Sequence, residues 1–271
     1  PKKLDNKISE KLVNYYLMKF KKKQYLHDKI EFEIIFSCLT LSTEKKLNEI
    51  LIKNFNKHEI KDIYYQLKQI NIIAYKQMFE DIKKIEDLKK KQILVDQSNL
   101  YYTDKIYWLI EDCKKLGTLP FAGLARCGFI ATEILNSFVE QKILTEDQKI
   151  KFLSNIKTIT FQMKDDIRKG KKKFLKKYGH LRPGTYEITS KNYEENFNNY
   201  FNFRNKIKKN KIQKFRFNND QKNKIKKFLN KNKIYKNFDH LISFITKAIQ
   251  YREYSKFVFT KSIDLVFKNL K

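Results

Sequence analysis

The chain has 271 residues, of which 41% are aliphatic or aromatic, and it carries a formal net charge of +29. That length and apolar content suffice for a full core, in one large domain or two small ones. No run approaches 18 uncharged apolar residues, since the most apolar stretch, Leu119 to Val139, contains Arg126 and Glu133, so a membrane-spanning helix is not expected.

Taken in chain order, the dominant periodicity is helical, and the expected fold is an all-α, multi-helix domain covering residues 1–271. Ile8, Leu12, Tyr16 and Phe20 recur every four residues, as do Leu47 and Leu51, which gives apolar stripes on amphipathic helices. Residues 30–39, IEFEIIFSCL, alternate instead and read as one short extended segment without a partner strand. Further helices are predicted over roughly 57–77, 80–96 and 103–116. Residues 120–142 open with Pro120, which suits a first helical turn. Thr145 and Gln148 form a capping box for a helix that runs to about Arg168. A short helix over 171–178 ends at Gly179, read as a left-handed cap. An exposed Lys/Asn-rich connection over 205–237 includes a solvated helix near 218–231, and a final helix spans about 239–269.

The cysteines, Cys38, Cys113 and Cys127, are odd in number and form no CxxC pair, which points to a reducing, cytoplasmic setting without disulfides or a zinc site. The chain opens PKKLDNK, with no secretory signal and no initiator Met, as an excised piece of a longer protein would. The positive charge invites a nucleic-acid reading. Yet of 59 basic residues only Arg126, Arg168, Arg182, Arg204, Arg216 and Arg252 are Arg, the side chain whose planar fork reads phosphates and base edges best. Most of the Lys is therefore read as solvated surface, and a Lys-rich nucleic-acid-binding protein is the alternative function.

All six glycines, at 117, 123, 128, 170, 179 and 184, fall in the middle of the chain. The densest anomaly is KKYGHLRPGTYEIT, residues 176–189. Pro183-Gly184 reads as a type II turn with Gly184 at positive φ, and Arg182 before Pro as extended. The result is a rigid Gly/Pro loop around 179–185. One reading has it presenting His180, Arg182 and Thr185 to a ligand, Arg182 as a bidentate fork for phosphate or carboxylate. The other is a connector in which His180 caps a helix and Arg182 pairs with a nearby acid.

In LPFAGLARCGFIATEIL, residues 119–135, Gly123, Cys127 and Ala131 form a ridge of small side chains suited to close helix packing. Arg126 and Glu133 share a face two turns apart, either lining a cavity or sitting at the rim of the core. YREYSKF, residues 251–257, places Arg252 and Lys256 on one helical face, where surface ion pairing is the default. No nucleotide loop, zincin, esterase or dinucleotide motif occurs.

LPFAGLARCGFIATEIL, KYGHLRPGTYEITSKNYEEN and REYSKFVFTKS together resemble the central region of the phosphoenolpyruvate synthase-like family, which includes pyruvate phosphate dikinase and rifampin phosphotransferase. The loop looks like that family's YGHR-type loop, here with Leu181 between His180 and Arg182. The resemblance runs from about 104 to 260 and more loosely over the N-terminal third. It implies a parent phosphotransferase (a kinase using ATP and Mg2+) in which an ATP-grasp-like domain phosphorylates a histidine on a swivelling domain. Neither domain nor a Thr-Ser-His motif is present in this sequence. The chain would then be the middle, acceptor-side domain, inactive alone and lacking a metal site or cofactor of its own. Arg126, Glu133, His180, Arg182, Thr185 and Arg252 would face pyruvate or another small-molecule acceptor, or the incoming phosphoryl group. Its expected partners are the two catalytic domains of the parent chain.

Overall fold

The computed structural model describes residues 4–51, 54–201 and 215–271. Residues 205–214 of the predicted Lys/Asn-rich connection, and Arg204 before them, lie outside the described residues. Among the described residues the fold is all-α, with eleven α-helices and no strand.

In order these are α1 (Asn6–Lys22), α2 (Thr43–Leu51), α3 (Lys57–Asp96), α4 (Tyr102–Asp112), α5 (Leu119–Glu140), α6 (Glu146–Ser154), α7 (Ile159–Asp166), α8 (Lys171–Tyr178), α9 (Phe197–Tyr200), α10 (Asn219–Asn232) and α11 (Phe238–Leu270). Side-chain caps open several of them. Asp5 caps α1, its Oδ1 accepting from Lys7 N at 2.9 Å. The Thr145/Gln148 box forms as expected, with bonds of 3.1 and 3.2 Å. Asn218 and Gln221 make a second box that opens α10.

The differences from the periodicity reading have physical causes. The helices predicted at 57–77 and 80–96 are one, because 78–79 contains no cap, Gly or Pro to stop it. The helix predicted from 145 to 168 breaks after Ser154, and α7 restarts at Thr158, whose hydroxyl accepts from Phe161 N at 3.3 Å. Between α4 and α5 the chain winds as a wider π-type turn over Cys113–Thr118. Pro120, which has no N–H to give, follows directly on that change of register.

The segment predicted as extended at 30–39 is helical in its first half. Ile30–Ile34 forms a π-type turn, and the backbone becomes extended at Ile35 (φ −102°, ψ 157°). With no neighbouring strand, its polar groups find side chains instead. Lys19 Nζ donates to the carbonyls of Glu33 and Ile34 at 2.6 and 3.2 Å. The Asn71 amide on α3 takes both backbone groups of Leu39, at 2.9 and 2.8 Å, in the manner of a strand partner.

The chain divides into two compact units, each assembled from three stretches. Pro1–Lys76, Phe129–Ile150 and Arg216–Ile245 make the first; Gln77–Gly128, Lys151–Phe215 and Thr246–Lys271 make the second. The first unit buries Leu39, Leu47, Ile63, Ile134, Phe138 and Phe244 almost completely. The second has a cluster of Ile159, Ile167, Phe174, Tyr178 and Phe197, with Phe257 packed against it. Phe174 is fully buried, which contributes on the order of 1.5–3 kcal/mol. Among the described residues one helical run, Tyr102–Glu140, is long and apolar enough to cross a bilayer by length and composition. Its Leu124, Ile134 and Phe138 are fully buried inside the protein.

Candidate functional site

After α8 the chain runs through residues 179–194 and closes on itself: Tyr193 N–H donates to Leu181 C=O at 2.8 Å, and Glu194 N–H to Gly179 C=O at 3.1 Å. Neither glycine of this loop is left-handed. Gly179 continues the right-handed turn (φ −54°, ψ −35°), and among the described glycines only Gly170 has positive φ, at 116°. The expected left-handed cap and type II turn are therefore corrected. What the loop needs from glycine is room, because a Cβ at Gly184 would sit 2.9 Å from Glu187 Cβ and 3.2 Å from Ser190 Cβ.

Arg182 turns inward. Its guanidinium forms an ion pair with Asp264 on α11, both side chains at most 4% exposed. It also donates to Ser190 C=O at 3.0 Å and lies 5.0 Å from the centre of the Phe267 ring. Asn192 Nδ2 donates to the same Asp264 oxygen at 2.9 Å, and Lys268 Nζ stands 3.5 Å from the other. This is the connector arrangement, with Arg182 paired to an acid, and it pins the loop to α11. His180 is buried as well. Its Nε2 lies 3.1 Å from Phe257 C=O, and because a carbonyl only accepts, Nε2 carries the proton. Burial pushes its pKa down to about 4, with Lys261 and Lys268 acting in the same direction, so the ring is neutral near pH 7.

His180 also lines a cavity of about 550 Å³ in the second unit, a size ordinary for small-molecule sites. One wall is cationic: Lys173, Lys176 and Lys177 from α8, and Lys157 from the connection before α7. The other, on α11, carries Tyr251, Tyr254, Phe257 and Lys261. Lys89 completes the basic lining, and Glu86 is its one carboxylate. Lys177 is engaged, with Asp166 at 3.1 Å and Gln162 at 2.9 Å. Glu86 accepts from the Tyr254 hydroxyl at 3.3 Å. Among the described residues, Lys157, Lys173, Lys176 and Lys261 form no ion pair. Helical spacing explains the basic wall: α8 buries Phe174 and Tyr178, four apart, and Lys173, Lys176 and Lys177 fall on the cavity side.

Of the six residues singled out from the sequence, His180 alone lines this cavity. Arg182 lies behind it in the second unit. Thr185 is half-buried on the turn. Arg126 and Arg252 are exposed, and the Arg252 stem covers Gly128, where an added Cβ would lie 2.8 Å from Arg252 Cδ. Glu133 belongs to the first unit; burial raises its pKa, and Asn136 Nδ2 donates to it at 3.0 Å. The small ridge has a use of its own: at Gly123 an added Cβ would run into the Asp81 carboxylate, which is buried and has a raised pKa for that reason. Sequence reasoning passed over the cavity lysines. Their signal was the run GKKKFLKK, 170–177, where Phe at the buried position organises the lysines onto one side.

The thiols offer no nucleophile, since burial pushes Cys38 and Cys127 up to about 12 and raises Cys113 as well. No group of three or more His, Cys, Asp or Glu among the described residues is arranged to hold a metal ion. Compared with known proteins, the chain matches no family, no curated protein and no solved structure.

Proposed function

We propose that the second unit holds a phosphorylated small molecule in its lysine-lined cavity, as the acceptor-side part of an ATP-dependent phosphotransferase of the phosphoenolpyruvate synthase-like type. In that setting the phosphoryl group would arrive from a histidine on another, cytoplasmic domain of the same parent chain, and ATP and Mg2+ would be handled there. The observation that carries the reading is the set of four lysines that, among the described residues, form no ion pair around one concave space lined by a single carboxylate. Uncompensated charge of one sign around a low-dielectric hollow concentrates ligands of the other sign. Phosphate suits it, because several ammonium groups can each meet a different oxygen.

The loop's part in this is positioning. His180 on the α8 side bonds to Phe257 on α11, and Arg182 bonds to Asp264 on α11. These contacts hold the basic wall and the aromatic wall at a fixed separation. Arg182 grips no acceptor in this arrangement; its effect on binding is indirect.

The test is calorimetric titration of the chain with phosphoenolpyruvate, pyruvate and inorganic phosphate. Saturable binding of the phosphorylated compound, weakened at least tenfold in Lys173→Ala/Lys176→Ala, is expected. Equal binding of pyruvate, or no saturable binding at all, would overturn the reading. Tight, salt-sensitive binding of a single-stranded RNA that the double variant retains would favour the nucleic-acid alternative instead.

A further inference from the structure

We infer that the phosphorylated ligand of this cavity also carries a planar heteroaromatic ring, stacked on Tyr251 and read at its edge by Gln250. This rests on the reading of the cavity as a phosphate site. It adds a demand that phosphate alone does not meet.

The aromatic wall is not uniform. Phe257 is saturated with ring contacts: His180 at 4.7 Å, Tyr178 at 5.7 Å and Tyr254 stacked at 6.4 Å. Tyr254 has Phe257 beside it, its hydroxyl bonded to Glu86, and Lys89 Nζ 5.9 Å from its ring centre. Tyr251 is different. It lines the cavity half-buried, and among the described residues its one ring contact is the T-shaped approach to Tyr254, at 5.6 Å and 87°. An edge-to-face pair leaves most of the ring surface without an aromatic partner. A half-buried tyrosine in a hollow with that much unpartnered ring is suited to stack against a flat ligand.

The next residue supplies the edge. Gln250 donates to Lys157 C=O at 3.4 Å, which directs its amide toward the basic wall. Its Oε1 accepts no hydrogen bond among the described residues. Gln162, beside it, donates to the same carbonyl at 3.3 Å but has its oxygen occupied by Lys177. One open acceptor beside one open ring, with lysines lining the same cavity, fits a phosphate joined to a nitrogen heterocycle. A purely aliphatic phosphate would leave both groups unused.

The experiment titrates the chain with adenosine monophosphate, ribose phosphate and adenosine, which separate ring from phosphate. Adenosine monophosphate is expected to bind at least tenfold more tightly than ribose phosphate, an advantage of the size base–aromatic stacking gives. Tyr251→Leu should remove that advantage and leave ribose phosphate affinity within twofold, whereas Tyr251→Phe should keep it. Equal affinity for the two phosphates, or an advantage that survives in Tyr251→Leu with its circular dichroism unchanged, would overturn the ring inference and leave the phosphate reading standing. If neither phosphate binds, both fall.

Discussion

Two neighbouring pieces of the second unit treat positive charge in opposite ways. In the loop, Arg182 is buried and compensated: Asp264, Ser190 C=O and the Phe267 face surround it. A few residues upstream, Lys173 and Lys176 on α8 are exposed, border a cavity and form no ion pair among the described residues. A buried, matched charge does its work inside the molecule, because it is tolerated there only while its partners are present. An unmatched set around a hollow does nothing for the fold and is free to act on a ligand. The sequence feature that stood out was the first kind, and the structural feature that points to binding is the second.

The comparison breaks most visibly at Asp264. Asp264→Ala would take from the buried Arg182 guanidinium its ion-pair partner and would strip Asn192 Nδ2 of its acceptor. A loss on the order of 3–5 kcal/mol is expected in urea denaturation, as for other broken buried pairs. A loss under about 1 kcal/mol would mean that water reaches the pair and that it is a surface bridge. Next in size is Gly184→Ala, which forces a Cβ against Glu187 and Ser190. That should cost roughly 1–3 kcal/mol, the usual range for overpacking. It should also loosen the loop without touching any charge.

These residues show what was legible beforehand. The helices at α1, α8, α10 and α11 follow from periodicity and caps, because Asp5, Phe174 with Tyr178, and the apolar stripe of α11 act over one or two turns. The capping box at Thr145 and Gln148 was readable for the same reason. The break at Ser154 was not, because it turns on Thr158 taking a cap that competes with continued helix. Nor was the inward turn of Arg182 decided by the sequence: both readings of the loop were open, and the choice depended on Asp264, 82 positions away in the chain. The cavity was harder still. Lysines on α8 and tyrosines on α11 are each unremarkable on their own helix and become a site only when packing sets them face to face.

A third prediction uses pH to probe the buried side of the comparison. The folded pKa of His180, about 4, lies below its ordinary 6.5. The unfolded chain therefore binds a proton that the folded chain refuses. Stability is complete above about 6.5 and declines as pH falls toward 4, by at most about 1.4 kcal/mol per pH unit. Asp81 and Glu133, with raised pKa values, act in the opposite sense as they take up protons. Asp166, held near 2 chiefly by Lys169, adds its loss only at the acid end, below the ordinary carboxylate range. Between pH 7 and 5 the melting temperature of the native chain should fall. His180→Gln keeps an N–H for Phe257 C=O and cannot titrate, so its profile should be flatter. Parallel profiles would show that His180 is hydrated enough to protonate in place.

The smallest effect carries the sharpest sign. Removing Lys173 and Lys176 deletes no ion pair among the described residues, and both side chains are exposed. Surface substitutions of this kind usually change stability by less than about 0.5 kcal/mol. Here the change should be toward greater stability, because the remaining lysines of the cavity and the net charge of +29 repel one another. Salt gives the control. Screening weakens repulsion between exposed charges over about 10 Å at 0.1 M ionic strength, so salt should raise the melting temperature of the native chain more than that of Lys173→Ala/Lys176→Ala. Adding phosphate in place of chloride, at equal ionic strength, should stabilise the native chain further and the double variant less, since a ligand that binds only the folded state adds its binding energy to stability. If the double variant instead melts lower than the native chain by the equivalent of 1 kcal/mol or more, roughly the size of a lost structural contact, the two lysines belong with Arg182 as parts of the architecture. The contrast between the two regions would then be lost.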